Sequence, residues 1–316
     1  MRFSSSVLAG LLSLLAQTVC INAQIVQSAR TIKATIPSGD TVEIYRHGAT
    51  VTSWTSGNKE QLLFLSTAAV LNGSAAIRGG IPVVFPNFGT PAANHSTSKM
   101  PQHGFARNST WEFVGSKKGK GISSLDLIFH LNSSLLIKKY QQDWPYSVDL
   151  TYTVTLSPNT LSADFRVANT DKVPIDFQFL LHSYLALPDI TKATVSGLEG
   201  SKYQDKTQDY KVIAEKSNAV TITNETDRIY TPATVDRPIV LSNAGKPRIS
   251  VIRENLPDVT VWNLWETKAK TTVDFAPKTA WKNYLAIEPG HVVNFKRLAA
   301  GGTWKARVNW IAHAAV

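Results

Sequence analysis

Only one of the 316 residues is cysteine, Cys20, so no disulfide can form within the chain. Charged residues are sparse, 18% against 43% hydrophobic, which excludes disorder for the bulk of the chain. There is no Gly-x-Ser-x-Gly elbow, no Walker phosphate loop and no His-Glu-x-x-His. Those absences remove the chemistries that need them. Of seven histidines none pair at metal-ligand spacing; His95 and His103 stand eight apart on a Pro/Gly-rich loop, so neither a metal nor another cofactor is expected. No repeat of roughly 20–50 residues marks a solenoid or propeller.

The net charge is +10. The lysines are dispersed, without a basic cluster carrying interleaved aromatics, so a nucleic-acid partner is not expected. An anionic surface and an anionic small substrate both remain as readings of the excess charge.

Arg2, an apolar run from Val7 to Val19 and a small residue at Ala23 describe a secretory signal peptide over residues 1–23. The run is shorter than the ~20 residues a membrane-spanning helix needs. A buried N-terminal helix is the alternative. Cleavage after Ala23 would remove the one cysteine and leave residues 24–316 as a single domain, secreted and not membrane-bound. Acceptor sequons at Asn72, Asn94, Asn108, Asn132 and Asn224 agree with a secreted glycoprotein. A monomer is expected.

The remainder reads as strands almost throughout. Thr41–Arg46 and Ser124–Phe129 alternate apolar with polar residues. From Tyr146 to Val167 the alternation is clearest, broken only by Ser157-Pro-Asn-Thr160, a hairpin signal. Residues 64–77 suggest one short helix and 254–258 a turn. The fold expected is all-β, one large antiparallel β-sandwich.

Four segments concentrate chemistry. In Ile77-Arg-Gly-Gly-Ile-Pro82, two glycines beside Arg78 would let backbone approach a ligand closely; a tight turn with a surface arginine reads the same way. Pro101-Gln-His-Gly-Phe-Ala-Arg-Asn108 groups Gln102, His103 and Arg107 on one loop, suited to hydroxyls or phosphate. It could equally be a polar loop with Phe105 tucked into the core. Along Ile175–Tyr184, the period of two puts His182 on a mixed polar and aromatic face, where a core histidine would look similar. Glu288 ends an apolar strand that Pro289-Gly290 should stop; it is either used or a surface turn residue. His182 and Glu288 would supply an acid and a base from two strands, enough to exchange sugar anomers. Tyr184, Trp262, Trp265 and Tyr284 would suit the apolar faces of a sugar ring.

These segments, with Val195-Ser-Gly-Leu-Glu-Gly200, Glu225-Thr-Asp-Arg-Ile-Tyr230 and Val261-Trp-Asn-Leu-Trp265, follow one another in an order that resembles the glucose-6-phosphate 1-epimerases. That family is the hexose-6-phosphate mutarotase branch of the aldose 1-epimerases, and the resemblance covers roughly residues 30–312. It implies a galactose-mutarotase-like super-sandwich and an isomerase that interconverts the α and β anomers of hexose 6-phosphates without a cofactor. It implies catalytic roles for His182 and Glu288, and substrate contacts from Arg78, Gln102, Arg107 and Asp227. Asp205 is the second choice for the aspartate, and His103 either bonds the sugar or braces its loop. In the mechanism so implied, Glu288 begins ionised and His182 protonated. Departures from the family pattern are the signal peptide, the sequon at Asn108 beside Arg107, and leucines at 185 and 264. The alternative function is a secreted protein that binds or acts on an unphosphorylated sugar. A lyase or hydrolase would need a residue set that is not found.

Overall fold

The computed structural model describes residues 23–121, 123–233 and 237–313. The expected signal peptide therefore lies, apart from Ala23, outside the described residues, and so does Cys20.

Four strands, β1 (Gln24–Gln27), β2 (Thr31–Thr35), β3 (Thr41–Tyr45) and β4 (Thr50–Thr55), make an antiparallel meander. After β5 (Val83–Val84) come β6 (Glu112–Lys118), β7 (Leu125–Asn132), helix α1 (Lys138–Asp143), β8 (Val148–Ser157) and β9 (Thr160–Asn169). Then follow β10 (Ile175–Leu181), β11 (Tyr184–Ala186), β12 (Ala193–Ser196), β13 (Lys202–Asp205), β14 (Lys211–Ala214), β15 (Val220–Thr221) and β16 (Thr226–Tyr230). The chain closes with β17 (Ile239–Asn243), β18 (Lys246–Glu254), β19 (Asp258–Asn263), helix α2 (Trp265–Thr271), β20 (Tyr284–Leu298) and β21 (Thr303–Ala312).

Two large antiparallel sheets result. One has nine strands in the order β15-β12-β17-β18-β21-β9-β8-β7-β6. The other has eight, in the order β14-β13-β16-β19-β20-β10-β5, with β11 also on β20. Their inner faces meet through aromatic side chains: Phe165 of β9 stacks on Phe179 of β10 at 4.3 Å, and Phe177 and Phe179 meet Trp304 of β21 edge-on at 5.3 and 5.4 Å. One hydrophobic cluster runs from Ile32 to Trp310. The expected all-β sandwich is what the chain forms, with a third, four-stranded sheet beside the two layers.

The β8–β9 hairpin follows the sequence pattern. Val148, Leu150, Tyr152, Val154 and Leu156 are buried, their neighbours are not, and Asn159 turns the chain at φ 53°. Asn tolerates that left-handed geometry better than most residues. Residues 64–77 form turns and isolated bridges and not the expected helix. Their apolar residues are pinned by extended contacts such as the bridge between Leu65 and Gly79. Nor does β20 stop at Pro289-Gly290; it continues to Leu298. On one side Pro289 pairs with Val259, and on the other it falls opposite Leu181, just past the last β10–β20 pair at Leu180, where a missing N–H is tolerated. Leu185 and Leu264 are core residues and do not border the cavity described below. Among the described residues no helix is long and apolar enough to cross a membrane.

Candidate active site

Register places the site. Leu180 pairs with Gly290 and Tyr184 with Ala286, so His182, in the gap between β10 and β11, falls opposite Glu288. Glu288 in turn pairs with Thr260 of β19. Cross-strand partners share a face, so His182, Glu288 and Thr260 form one row on the outer face of the eight-stranded sheet. The adjoining row is Tyr184, Ala286, Trp262 and Asp227. The gap is tied on the other side: Ser183 Oγ donates to the Ile287 carbonyl, and His182 N donates to the Pro82 carbonyl at 3.0 Å.

Two loops roof these rows. Gly80 (φ 66°) lies so close to β4 that a Cβ there would stand 2.1 Å from the Val51 carbonyl oxygen. The close approach that the Gly-Gly pair permits is thus to neighbouring backbone, not to a ligand. It anchors the segment that carries Arg78. Gly104 (φ 72°) serves the second loop likewise, since its Cβ would meet the Phe85 carbonyl oxygen at 2.1 Å. Gln178 braces the same loop by accepting from Phe88 N at 2.9 Å.

Between roof and sheet lies a cavity of about 220 Å³. His182, Glu288, Arg78, Gln102, His103, Arg107 and Asp227 all border it, joined by Phe88, Lys206, Thr260, Trp262 and Lys268. Asp205 does not. It belongs to the opposite face of β13 and caps the 3₁₀ turn Lys206–Gln208, accepting from Thr207 N and Oγ1 at 2.9 and 2.6 Å. Trp265 packs on Trp281, and Tyr284 on Phe64, away from the cavity lining.

His182 Nδ1 and Glu288 Oε1 approach to 3.0 Å without the alignment of a hydrogen bond, and neither atom has another partner among the described residues. His182 stacks on Tyr184 at 4.7 Å. Burial pushes the imidazole well below its ordinary range, helped by Arg107 and Arg78. Burial, reinforced by the Asp227 charge, pushes the Glu288 carboxyl well above its own. Both groups are driven toward their neutral forms, the reverse of the ionised glutamate and protonated histidine expected from sequence. The count is nevertheless the same: either arrangement holds one transferable proton between the two groups.

The cations differ in how they are compensated. Both Asp274 carboxylate oxygens accept from Arg78 Nε, at 3.1 and 3.2 Å, while Arg78 Nη1 donates to the Tyr184 hydroxyl at 3.4 Å. Tyr184 and Asp274 together raise the affinity of this guanidinium for its proton. Arg107 donates from Nη2 to the Gln102 carbonyl at 2.9 Å, its Nε is buried without a partner among the described residues, and burial lowers its pKa to about 10. His103 Nδ1 accepts from Gly89 N at 3.2 Å, which leaves its proton on Nε2. Burial, with Arg107 and His182 nearby, keeps that ring neutral. Nothing in the sequence singles out Asp274, Lys206 or Lys268. All three stand among dispersed surface charges there, and only the folded chain brings them to the site.

The sequence profile that describes aldose 1-epimerase matches residues 30–310. A protein of Cenchrus ciliaris, provisionally named glucose-6-phosphate 1-epimerase, is 34% identical over 272 residues, 84% of this chain and 79% of that one. One of Escherichia coli K12 with the same provisional name is 30% identical over 250 residues, 77% of each chain. Among solved structures, a provisionally named mutarotase from Salmonella typhimurium superposes with TM-score 0.78 at 23% identity, over 92% of this chain and 94% of its own. A galactose mutarotase-like protein from Clostridium acetobutylicum gives 0.69 at 16%, over 94% and 99%. These two structural likenesses concern the fold.

Proposed function

The chain belongs to the aldose 1-epimerase family, and on that footing we propose that it interconverts the α and β anomers of glucose 6-phosphate or a closely related hexose 6-phosphate. What carries this reading is the meeting in one cavity of the His182–Glu288 contact with a guanidinium, Arg107, that has no carboxylate partner among the described residues.

Ring opening needs a base for the C1 hydroxyl and an acid for the ring oxygen. Glu288 as carboxylate takes the O1 proton, His182 as imidazolium gives one to O5, and the C1–O5 bond breaks. The aldehyde turns about C1–C2. His182 takes its proton back as O5 attacks the other face, and Glu288 returns the proton to O1. Both groups end as they began. The working pair differs from the neutral pair favoured by burial by one proton moved across a 3.0 Å contact. A phosphate beside Arg78 and Arg107 would offset the positive charges that oppose the imidazolium, and so favour that transfer. Each proton-transfer group is typically worth ~10²–10⁴-fold. The arginines hold the phosphate and fix the ring, and His103 presents an N–H to the sugar.

Anomer exchange followed by NMR, on glucose 6-phosphate and on glucose, tests the reading. His182→Ala and Glu288→Gln should both lose exchange. Folded variants that match wild type would sink the assignment, and no preference for the phosphorylated sugar would remove the anion role of the arginines.

Secretion belongs to the same proposal. The first strand begins at Gln24, one residue past the expected cut, and the sequon asparagines Asn72, Asn94 and Asn224 are exposed, while Asn108 and Asn132 are half-buried. Terminal sequencing and deglycosylation of protein made in a eukaryotic secretory host would test it.

A further inference from the structure

Resting on the proposed function, we propose that Lys206 is a specificity-determining residue which, with Asp227, reads the ring hydroxyls at the end of the cavity remote from the arginines. Asp205 pairs with Arg228 across β13 and β16, so Lys206, one residue on, falls opposite Asp227. Its Nζ lies 3.0 Å from Asp227 Oδ2 and 5.1 Å from the centre of the Phe88 ring. The Asp205-capped turn fixes the start of the segment. Asp227 Oδ1, by contrast, is buried and has no partner among the described residues. A carboxylate oxygen left without a donor in a polar cavity asks for one from a ligand. Lys206 uses one donor on Oδ2 and has two more.

The pair's position gives the ligand chemistry. Along the row Asp227, Trp262, Ala286, Tyr184, the Asp227 and Tyr184 backbones are three strand spacings apart, about 14 Å. Arg78 bonds the tyrosine at the far end. His182 and Glu288 lie in the neighbouring row between these ends. With O5 and C1 at His182 and Glu288 and the C6 phosphate on the arginines, the C2–C4 edge of the ring points to Asp227 and Lys206. Adjacent equatorial hydroxyls there can give one hydrogen bond to Oδ1 and accept one from Nζ. An axial hydroxyl at C2 or C4 breaks that match, and its loss leaves a buried polar atom unpaired.

The test is anomer exchange of glucose 6-phosphate and its C2 and C4 epimers, mannose 6-phosphate and galactose 6-phosphate, with inorganic phosphate as competing anion. Wild type should prefer glucose 6-phosphate. Lys206→Met should lower kcat/KM for it by about 10–100-fold, as for a lost charged hydrogen bond. The advantage over the epimers should shrink while inhibition by inorganic phosphate holds. Lys206→Arg keeps the charge but changes its geometry, and as a second folded variant it should also alter the epimer ratio. The proposal is overturned by a wild type that does not discriminate, by an unchanged epimer ratio in a folded variant, or by phosphate inhibition that weakens together with sugar-phosphate binding. Failure of wild type to exchange any hexose 6-phosphate would instead overturn the proposed function.

Discussion

Glu288 sits opposite His182 across β20 and the β10–β11 gap, its Oε1 3.0 Å from His182 Nδ1, and neither atom has any other partner among the described residues. The interruption frees the imidazole from the regular ladder while the Ser183–Ile287 bonds hold it in place. The two groups proposed as acid and base are therefore set by sheet register, the most rigid positioning the fold offers.

Removing either group should abolish most of the turnover. His182→Ala and Glu288→Gln are each expected to slow exchange of glucose 6-phosphate by ~10²–10⁴-fold. Because the two share one proton, the double variant should be little worse than either single one. NMR exchange rates on folded proteins check both expectations.

The same burial has a cost in stability. The Glu288 carboxyl binds its proton more tightly when folded than at its ordinary value of 4.5. Below that value it is protonated in both states. As pH rises further, the unfolded chain releases the proton and the folded one resists, so stability falls. Glu288→Gln should thus melt higher than wild type at neutral pH, with the gap closing toward pH 4. Thermal unfolding across that range measures it, and a gap that does not depend on pH would count against a raised affinity.

Arg107 should act on the sugar chiefly through the phosphate it holds. Its Nε has no partner among the described residues and burial holds its pKa at about 10, so a bound anion relieves an existing penalty. Arg107→Met should raise KM for glucose 6-phosphate by about 10–100-fold and leave exchange of glucose nearly unchanged. Inorganic phosphate should raise the melting temperature of wild type and not that of the variant.

Gly104 tests the roof. A methyl group there would stand 2.1 Å from the Phe85 carbonyl oxygen, at a φ of 72°. Gly104→Ala should lower stability by at least about 2 kcal/mol and displace the loop that carries His103 and Arg107. Loss of exchange with only a small drop in melting temperature would show that the displacement is local.

The residues themselves dictated much of this protein. Strict alternation in β8 and β9, with Pro-Asn between them, admits little but a hairpin, because period two matches only a pleated strand with one buried face. His182, Glu288, Arg78 and Arg107 stood out because they sit in short segments dense in chemistry. The failures share a cause. Residues 64–77 have enough apolar content for a helix, but distant strands claim their backbone. Pro289 ends a strand locally, yet it falls just where the pairing with the neighbouring strand has stopped. Asp205 and Asp227 both lie in strands of plausible motifs, and only the parity of β13 and β16 sends one to the cavity and the other to the opposite face. Lys206, Lys268 and Asp274 look like ordinary surface charge until folding sets them around one space. Local pattern decided the strands, since alternation is a property of neighbours in the chain. Register decided the site, since which side chains share a face and a distance depends on partners far away in sequence.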